Sequence, residues 1–114
     1  MLLKAEALVE KGDINGAMTL VNQVRARVKL VAKTAGSADD ARAIIANERR
    51  LELAFEGHRW YDLLRTGTAL ATMNAQTDGN GNNLNYNVQS YRLLLPIPQA
   101  QIDLNPLLTQ NEGY

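Results

Sequence analysis

Glu48, Glu52, Glu56 and His58 form the densest set of metal-binding side chains in this chain, and the three carboxylates, four apart, share one face of any helix that carries them. A di-iron or zinc site built on helices, however, sets Glu and His three apart or two His four apart. The single histidine here follows Glu56 by two positions with Gly57 between them, so no metal is expected. His58 is expected to satisfy a helix end or a core hydrogen bond. In "DGNGNN", Asp78, Asn80 and Asn82 have the alternate spacing of a calcium loop, but Asn83 and Gln89 stand where that loop needs a glycine and a bidentate glutamate. A solvated turn is the better reading. No phosphate-cradling glycine motif, nucleophile elbow or Ser/His/Asp arrangement is present, which leaves no catalytic residue and no cofactor site, and points to binding or scaffolding rather than an enzyme.

Binding chemistry is better represented. Trp60, Tyr86 and Tyr91 are the candidate ligand-stacking residues. The two tyrosines, expected to be exposed, lie in or beside an amide-rich run, "NAQTDGNGNNLNYNVQS", that suits polar ligands such as sugars. Trp60 sits in "HRWYDLLR" with Tyr61, Leu63 and Leu64, where helical spacing argues at least as strongly for a place in the core.

Charge narrows the classes further. Twelve Lys and Arg balance twelve Asp and Glu without a basic half, so nucleic acid is not an expected partner. The absence of cysteine excludes disulfides, thiol catalysis and Cys-based zinc sites. Leu2 and Leu3 meet Lys4 and Glu6 at once, so neither a signal peptide nor a membrane span is legible. The opening "MLLKAEALVEKG" reads as helix interior with no capping residue before Leu2, and Met1 is therefore not expected to begin the natural structural unit.

These residues must be positioned by helices. A first helix is expected to end at Gly12, and Asp13 then caps a second with Ile14, Ala17, Val21, Val24, Val28 and Val31 on its seam. The pair makes an antiparallel hairpin resembling one tetratricopeptide repeat, assigned to residues 1–34. Ser37 and Asp40 predict a cap for a third helix running from Ala38 to Phe55, with a pause at Gly57 and a short helix over "HRWYDLLR" closed by Gly67. On the third helix Ile44, Leu51 and Phe55 align with Glu48 among them, so the Glu48 carboxylate faces a core and needs a cation, for which Arg25, Arg27 and Arg65 are the candidates. Ala43, Ala46, Leu53 and Ala54 lie on its other side, and a helix apolar on two sides requires covering from both. Residues 74–90 read as a long surface loop, and three prolines limit the tail to one short helix between Pro98 and Pro106, with the tail wrapping the helices.

"NERRLELAFEGHRWYDLLRTG" and "YRLLLPIPQAQIDLNPLLTQNEGY" together resemble the C-terminal part of the SusD/RagB family, the surface glycan-binding lipoproteins of Bacteroidota. Residues 48–65 match the family's E-R-R-x-E-L-A-F-E-G-x-R-x-x-D-L-x-R signature and the ending matches its L-P-I-P and I-D-x-N-P-x-L-x-Q-N-x-G-Y close. The resemblance implies an all-α fold: a tetratricopeptide-like hairpin, signature helices and an irregular proline-rich tail, with residues 35–114 as one unit and the whole a fragment of a larger SusD-like protein. It further implies a non-catalytic oligosaccharide-binding protein at the outer-membrane surface, anchored by lipid outside this chain and partnered by a SusC-like TonB-dependent transporter. Under it, Glu48, Arg49, Arg50, Glu52, Glu56, Arg59, Asp62 and Arg65 form a structural network tying the signature helix to the repeat helices and the tail. The alternative is a free-standing helical repeat module that binds a protein partner.

Overall fold

The computed structural model describes residues 1–87 and 89–114. It is all-α: helices α1 (Leu2–Glu10), α2 (Ile14–Arg27), α3 (Ala38–Glu52), α4 (His58–Arg65), α5 (Ala69–Asn74) and α6 (Gln99–Leu104), with a 3-10 turn at Ser90–Leu93. Pairing between extended segments is limited, among the described residues, to an isolated antiparallel bridge between Thr77 and Asn83. Two compact units are present, Met1–Arg59 and Trp60–Tyr114, so the division falls inside α4 while the motifs change character near residue 35.

In the first unit α1 and α2 form the expected hairpin. Gly12 (φ 84°) takes the left-handed conformation that ends α1, and the amides of Gly12 and Asp13 return to the carbonyls of Val9 and Leu8. Asp13 then accepts the Gly16 amide at 2.8 Å and caps α2. This cap is close: a Cβ on Gly16 would meet Asp13 Oδ2 at 2.2 Å, so a larger residue there would shift the capping carboxylate. The core comprises Leu2, Ala5 and Val9 of α1, Ala17, Met18, Val21 and Val24 of α2, and Ala41 and Ile45 of α3. One wholly buried alanine on each helix, Ala5, Ala17 and Ala41, lets the three backbones approach.

Both long helices stop short of their sequence patterns. The seam of α2 was expected to continue through Val28 and Val31, but both are exposed because Lys29 (φ 58°) turns left-handed and the Lys29 and Leu30 amides close on Ala26 and Arg25. Ser37 caps α3 through the Asp40 amide at 3.1 Å as its sequence requires. The helix ends at Glu52 rather than Phe55: turns follow, Phe55 itself has φ 67°, and its side chain is fully solvent-exposed. The buried line of α3 is therefore Ala41, Ile45 and Glu48, whereas Leu51 is exposed and Ile44 half-buried, a rotation from the expected line. Ala43, Ala46 and Ala54 are likewise exposed, so the second apolar side of α3 stays uncovered.

In the second unit, Gly67 (φ 68°) closes α4 through the Gly67 and Thr68 amides, which bond Leu64 and Leu63. Sequence reasoning missed α5, a short helix on "ALATMN". The expected surface loop 74–90 is mostly exposed; Val88 within it lies outside the described residues. The short helix expected between Pro98 and Pro106 is α6.

Replacing Lys29 by glycine is expected to stabilise the chain by about 0.5 kcal/mol, the left-handed cost of roughly 1 kcal/mol less the greater unfolded-state entropy of glycine. Urea denaturation with an unchanged slope would show it, and a loss of stability would place the termination of α2 elsewhere.

Candidate functional site

One carboxylate of the signature, that of Glu48, is buried. Glu48 is 4% exposed, and its Oε1 accepts from Nη1 of Arg25, itself 9% exposed. Arg25 Nε donates to the Val31 carbonyl at 2.7 Å, and Lys33 Nζ lies 3.8 Å from the same Glu48 oxygen. The Asn22 side chain fixes Lys33 by donating to its carbonyl at 2.9 Å while accepting from its amide at 2.8 Å. One carboxylate thereby joins α3 to α2 and to the segment that leaves α2. Leaving such a charge unpaired in a core costs several kcal/mol, and among the described residues no buried side-chain nitrogen or oxygen lacks a partner.

Around this centre the signature residues divide. Of the three arginines considered for Glu48, Arg25 takes it, Arg27 pairs with Glu52, and Arg65 Nε donates to Asp62 at 2.8 Å. Arg49 is buried and engaged, whereas Arg50 and Arg59 are exposed. Glu56 Oε2 lies 4.0 Å from His58 Nε2, both exposed, on the turn after α3. Glu48 and Glu52 are thus committed to arginines on α2, and among the described residues no three His, Asp or Glu side chains converge as a metal site would require. Beside the Arg27–Glu52 pair an open groove of about 300 Å³ is lined by Leu3, Val24, Leu53 and Arg49.

The closing motif does its chemistry on the chain itself. Pro96 and Pro98 bracket Ile97, whose amide is the one backbone donor in that stretch. Gln110 Oε1 accepts from that amide at 2.8 Å and Gln110 Nε2 donates to the Ile97 carbonyl at 2.9 Å, so a side-chain amide pairs with the backbone as a neighbouring strand would. Asn111 Nδ2 donates to Leu95 O at 2.7 Å and the Tyr114 hydroxyl to Leu94 O at 2.8 Å. Gly113 (φ 96°) presses against Tyr91, where an added Cβ would meet the ring at 2.4 Å. The Q-N-x-G-Y ending is a clasp on L-L-P-I-P.

Two of the candidate stacking residues are more enclosed than expected. Tyr86, expected exposed, is 8% exposed: the Arg92 guanidinium lies 4.6 Å from its ring centre and Trp60 packs edge-on at 6.5 Å. Tyr91, also expected exposed, is half-buried and meets Tyr114 edge-to-face at 5.1 Å. Trp60 is half-buried. Contact with Arg92 and Trp60 encloses the Tyr86 ring. In the exposed loop Asp78 accepts the amides of Asn80 at 2.8 Å and Asn82 at 2.9 Å on Oδ1, and the Asn82 side chain at 3.2 Å on Oδ2. Those bonds, with the Asn82 amide foremost, hold its carboxyl below the usual carboxylate range.

The profile of the SusD family matches residues 1–114. The chain belongs to the SusD family. SusD-like protein P38 of Formosa agariphila is 37% identical over 123 residues, an alignment covering 100% of this chain and 23% of that protein. A SusD superfamily protein from Bacteroides vulgatus superposes with a TM-score of 0.81 at 30% identity, over 99% of this chain and 25% of the other. Surface glycan-binding protein A from Bacteroides thetaiotaomicron superposes with a TM-score of 0.74 at 33% identity, over 97% of this chain and 22% of its own. The chain thus spans about a quarter of the length of these SusD-like relatives.

Within this SusD-family segment, sequence reasoning missed Lys33 and Gln110, which lie outside the helices, and Asn22, a polar residue of α2 off its apolar seam. The prolines around Ile97 carried a usable signal, since a lone amide between two prolines demands an acceptor.

Glu48→Ala is expected to destabilise the chain by about 3 kcal/mol by stranding Arg25, whereas Glu48→Leu combined with Arg25→Met should restore most of that loss; thermal melts of both variants decide it. Because the Asp78 carboxyl titrates below its ordinary value of about 3.9, its stabilisation of the turn is present above that pH and is lost as pH falls through the depressed folded value. Carboxyl titration by NMR should therefore give a midpoint below about 3.9, with the Asn80 and Asn82 amide resonances moving in parallel.

Proposed function

We propose that this chain is the C-terminal portion of a SusD-like nutrient-binding protein that captures oligosaccharide at the outer-membrane surface and delivers it to a SusC-like TonB-dependent transporter, without catalysis. The observation that carries the reading is the whole-chain similarity to a surface glycan-binding protein, with the signature and the closing motif both present as folded structures. In this role the segment is architectural. Glu48, Arg49, Arg50, Glu52, Glu56, Arg59, Asp62 and Arg65 act as its structural residues, and sugar contacts are made largely elsewhere in the longer protein. Tyr86 supports that assignment, because its ring is covered by Arg92.

Exposed Leu3, Val28, Leu51 and Phe55 favour the same reading: apolar side chains of this size are normally covered, and relatives four times longer have the chain to cover them. Among the described residues no helix is long and apolar enough to cross a membrane. The α1–α2 hairpin and the groove beside Leu3 and Val24 support the alternative, a repeat module that holds a protein partner.

Calorimetry with oligosaccharides on the full-length protein and on residues 1–114 separates the two. The longer protein is expected to bind glycan and to copurify with a TonB-dependent transporter from solubilised outer membranes, while the segment alone binds no glycan. Absence of glycan binding by the full-length protein, together with stoichiometric capture of a protein by the segment, would establish the alternative.

A further inference from the structure

The sequence contains two Asn-Gly pairs, Asn15-Gly16 and Asn80-Gly81, and the structure treats them in opposite ways. The pair is chemically labile because glycine, lacking Cβ, lets its backbone nitrogen reach the preceding side-chain amide carbon. Asn15 and Gly16 lie in the first turn of α2, where helical geometry directs the Gly16 nitrogen away from that carbon and its N–H is held by Asp13 at 2.8 Å. Asn80 lies in an exposed turn, its side-chain amide makes no hydrogen bond among the described residues, and the Gly81 amide bonds the Asp78 carbonyl at 3.0 Å beside the Asp78 carboxylate.

We propose that Asn80 is a site of spontaneous deamidation in the folded protein and that Asn15 is protected. The Gly81 nitrogen gives up its proton and bonds to Asn80 Cγ; the Cγ–Nδ2 bond breaks and ammonia leaves; water then opens the succinimide at either carbonyl, leaving aspartate or isoaspartate. Neighbouring sites do not compete. Asn82, Asn83, Asn85 and Asn87 are followed by bulkier residues, Asn105 precedes Pro106, which has no N–H to lose, and Asp78 before Gly79 has both carboxylate oxygens held by the loop. Either product puts a second carboxylate beside Asp78. The isoaspartate also lengthens the main chain between the Asn80 and Asn82 amides, which then no longer meet one Asp78 oxygen. The reaction is thus an age-dependent loosening of the amide-rich loop.

Peptide mapping by mass spectrometry after incubation of the folded protein at mildly alkaline pH tests this, with electron-transfer fragmentation to identify isoaspartate. Conversion should be at least about tenfold faster at Asn80 than at Asn15, since opening an exposed turn costs less than unravelling a packed helix. In urea the two rates should converge. Asn80→Gln should abolish the early ammonia release while the backbone amide bonds to Asp78 persist. Equal rates at the two sites in the folded protein, or early ammonia release unchanged in Asn80→Gln, would overturn the proposal.

Discussion

The pairing of Glu48 with Arg25 is the interaction around which the first unit is arranged. A carboxylate among Ala41 and Ile45 on the buried line of α3 is costly unless a cation and further hydrogen bonds accompany it. Arg25 therefore has to leave the polar side of α2, and its Nε captures the Val31 carbonyl as the chain departs from the helix. The departing segment brings Lys33 back toward the same carboxylate, where Asn22 fixes its backbone. Such a pair adds less to net stability than its Coulomb energy implies, because desolvation offsets most of the attraction. It specifies which faces of α2 and α3 meet, since any other rotation would leave a charge buried alone.

A second constraint, the satisfaction of backbone groups where regular structure is absent, governs the clasp in the other unit and recurs at Asn22. Proline-flanked Ile97 has no helix or strand neighbour, and Gln110 supplies both donor and acceptor in one planar group. Asn22 does the same for Lys33. Side-chain amides suit this task because they offer both polarities without the solvation cost of a charge. The motifs by which the SusD family is recognised in this chain are therefore physical devices: one buried ion pair that orders helices and one amide clasp that ends the chain.

Several residues whose types drew notice are engaged by partners within the chain. Glu48 and Glu52 are held by arginines, Asp78 by its own loop, and Tyr86 by Arg92. Each group retains the chemistry that drew notice to it, but that chemistry is directed inward. The exposed amide of Asn80 is the contrasting case.

What the sequence by itself determined is local. Gly12, Asp13, Ser37 and Gly67 set helix ends through caps and left-handed turns that depend only on near neighbours, the prolines confined α6, and the two motifs placed the chain in its family. Only tertiary structure decided which line of α3 is buried, because Ile44–Leu51–Phe55 and Ala41–Ile45–Glu48 are both regular helical faces and the choice between them depends on where Arg25 lies. It also decided that α2 stops at Arg27 with a lysine in the left-handed turn, and that α3 stops before Phe55. Apolar periodicity continues through both points, so no local pattern marks them; at the end of α2 the turn lets the Lys33 backbone reach Asn22 and the Val31 carbonyl reach Arg25, contacts that periodicity does not encode.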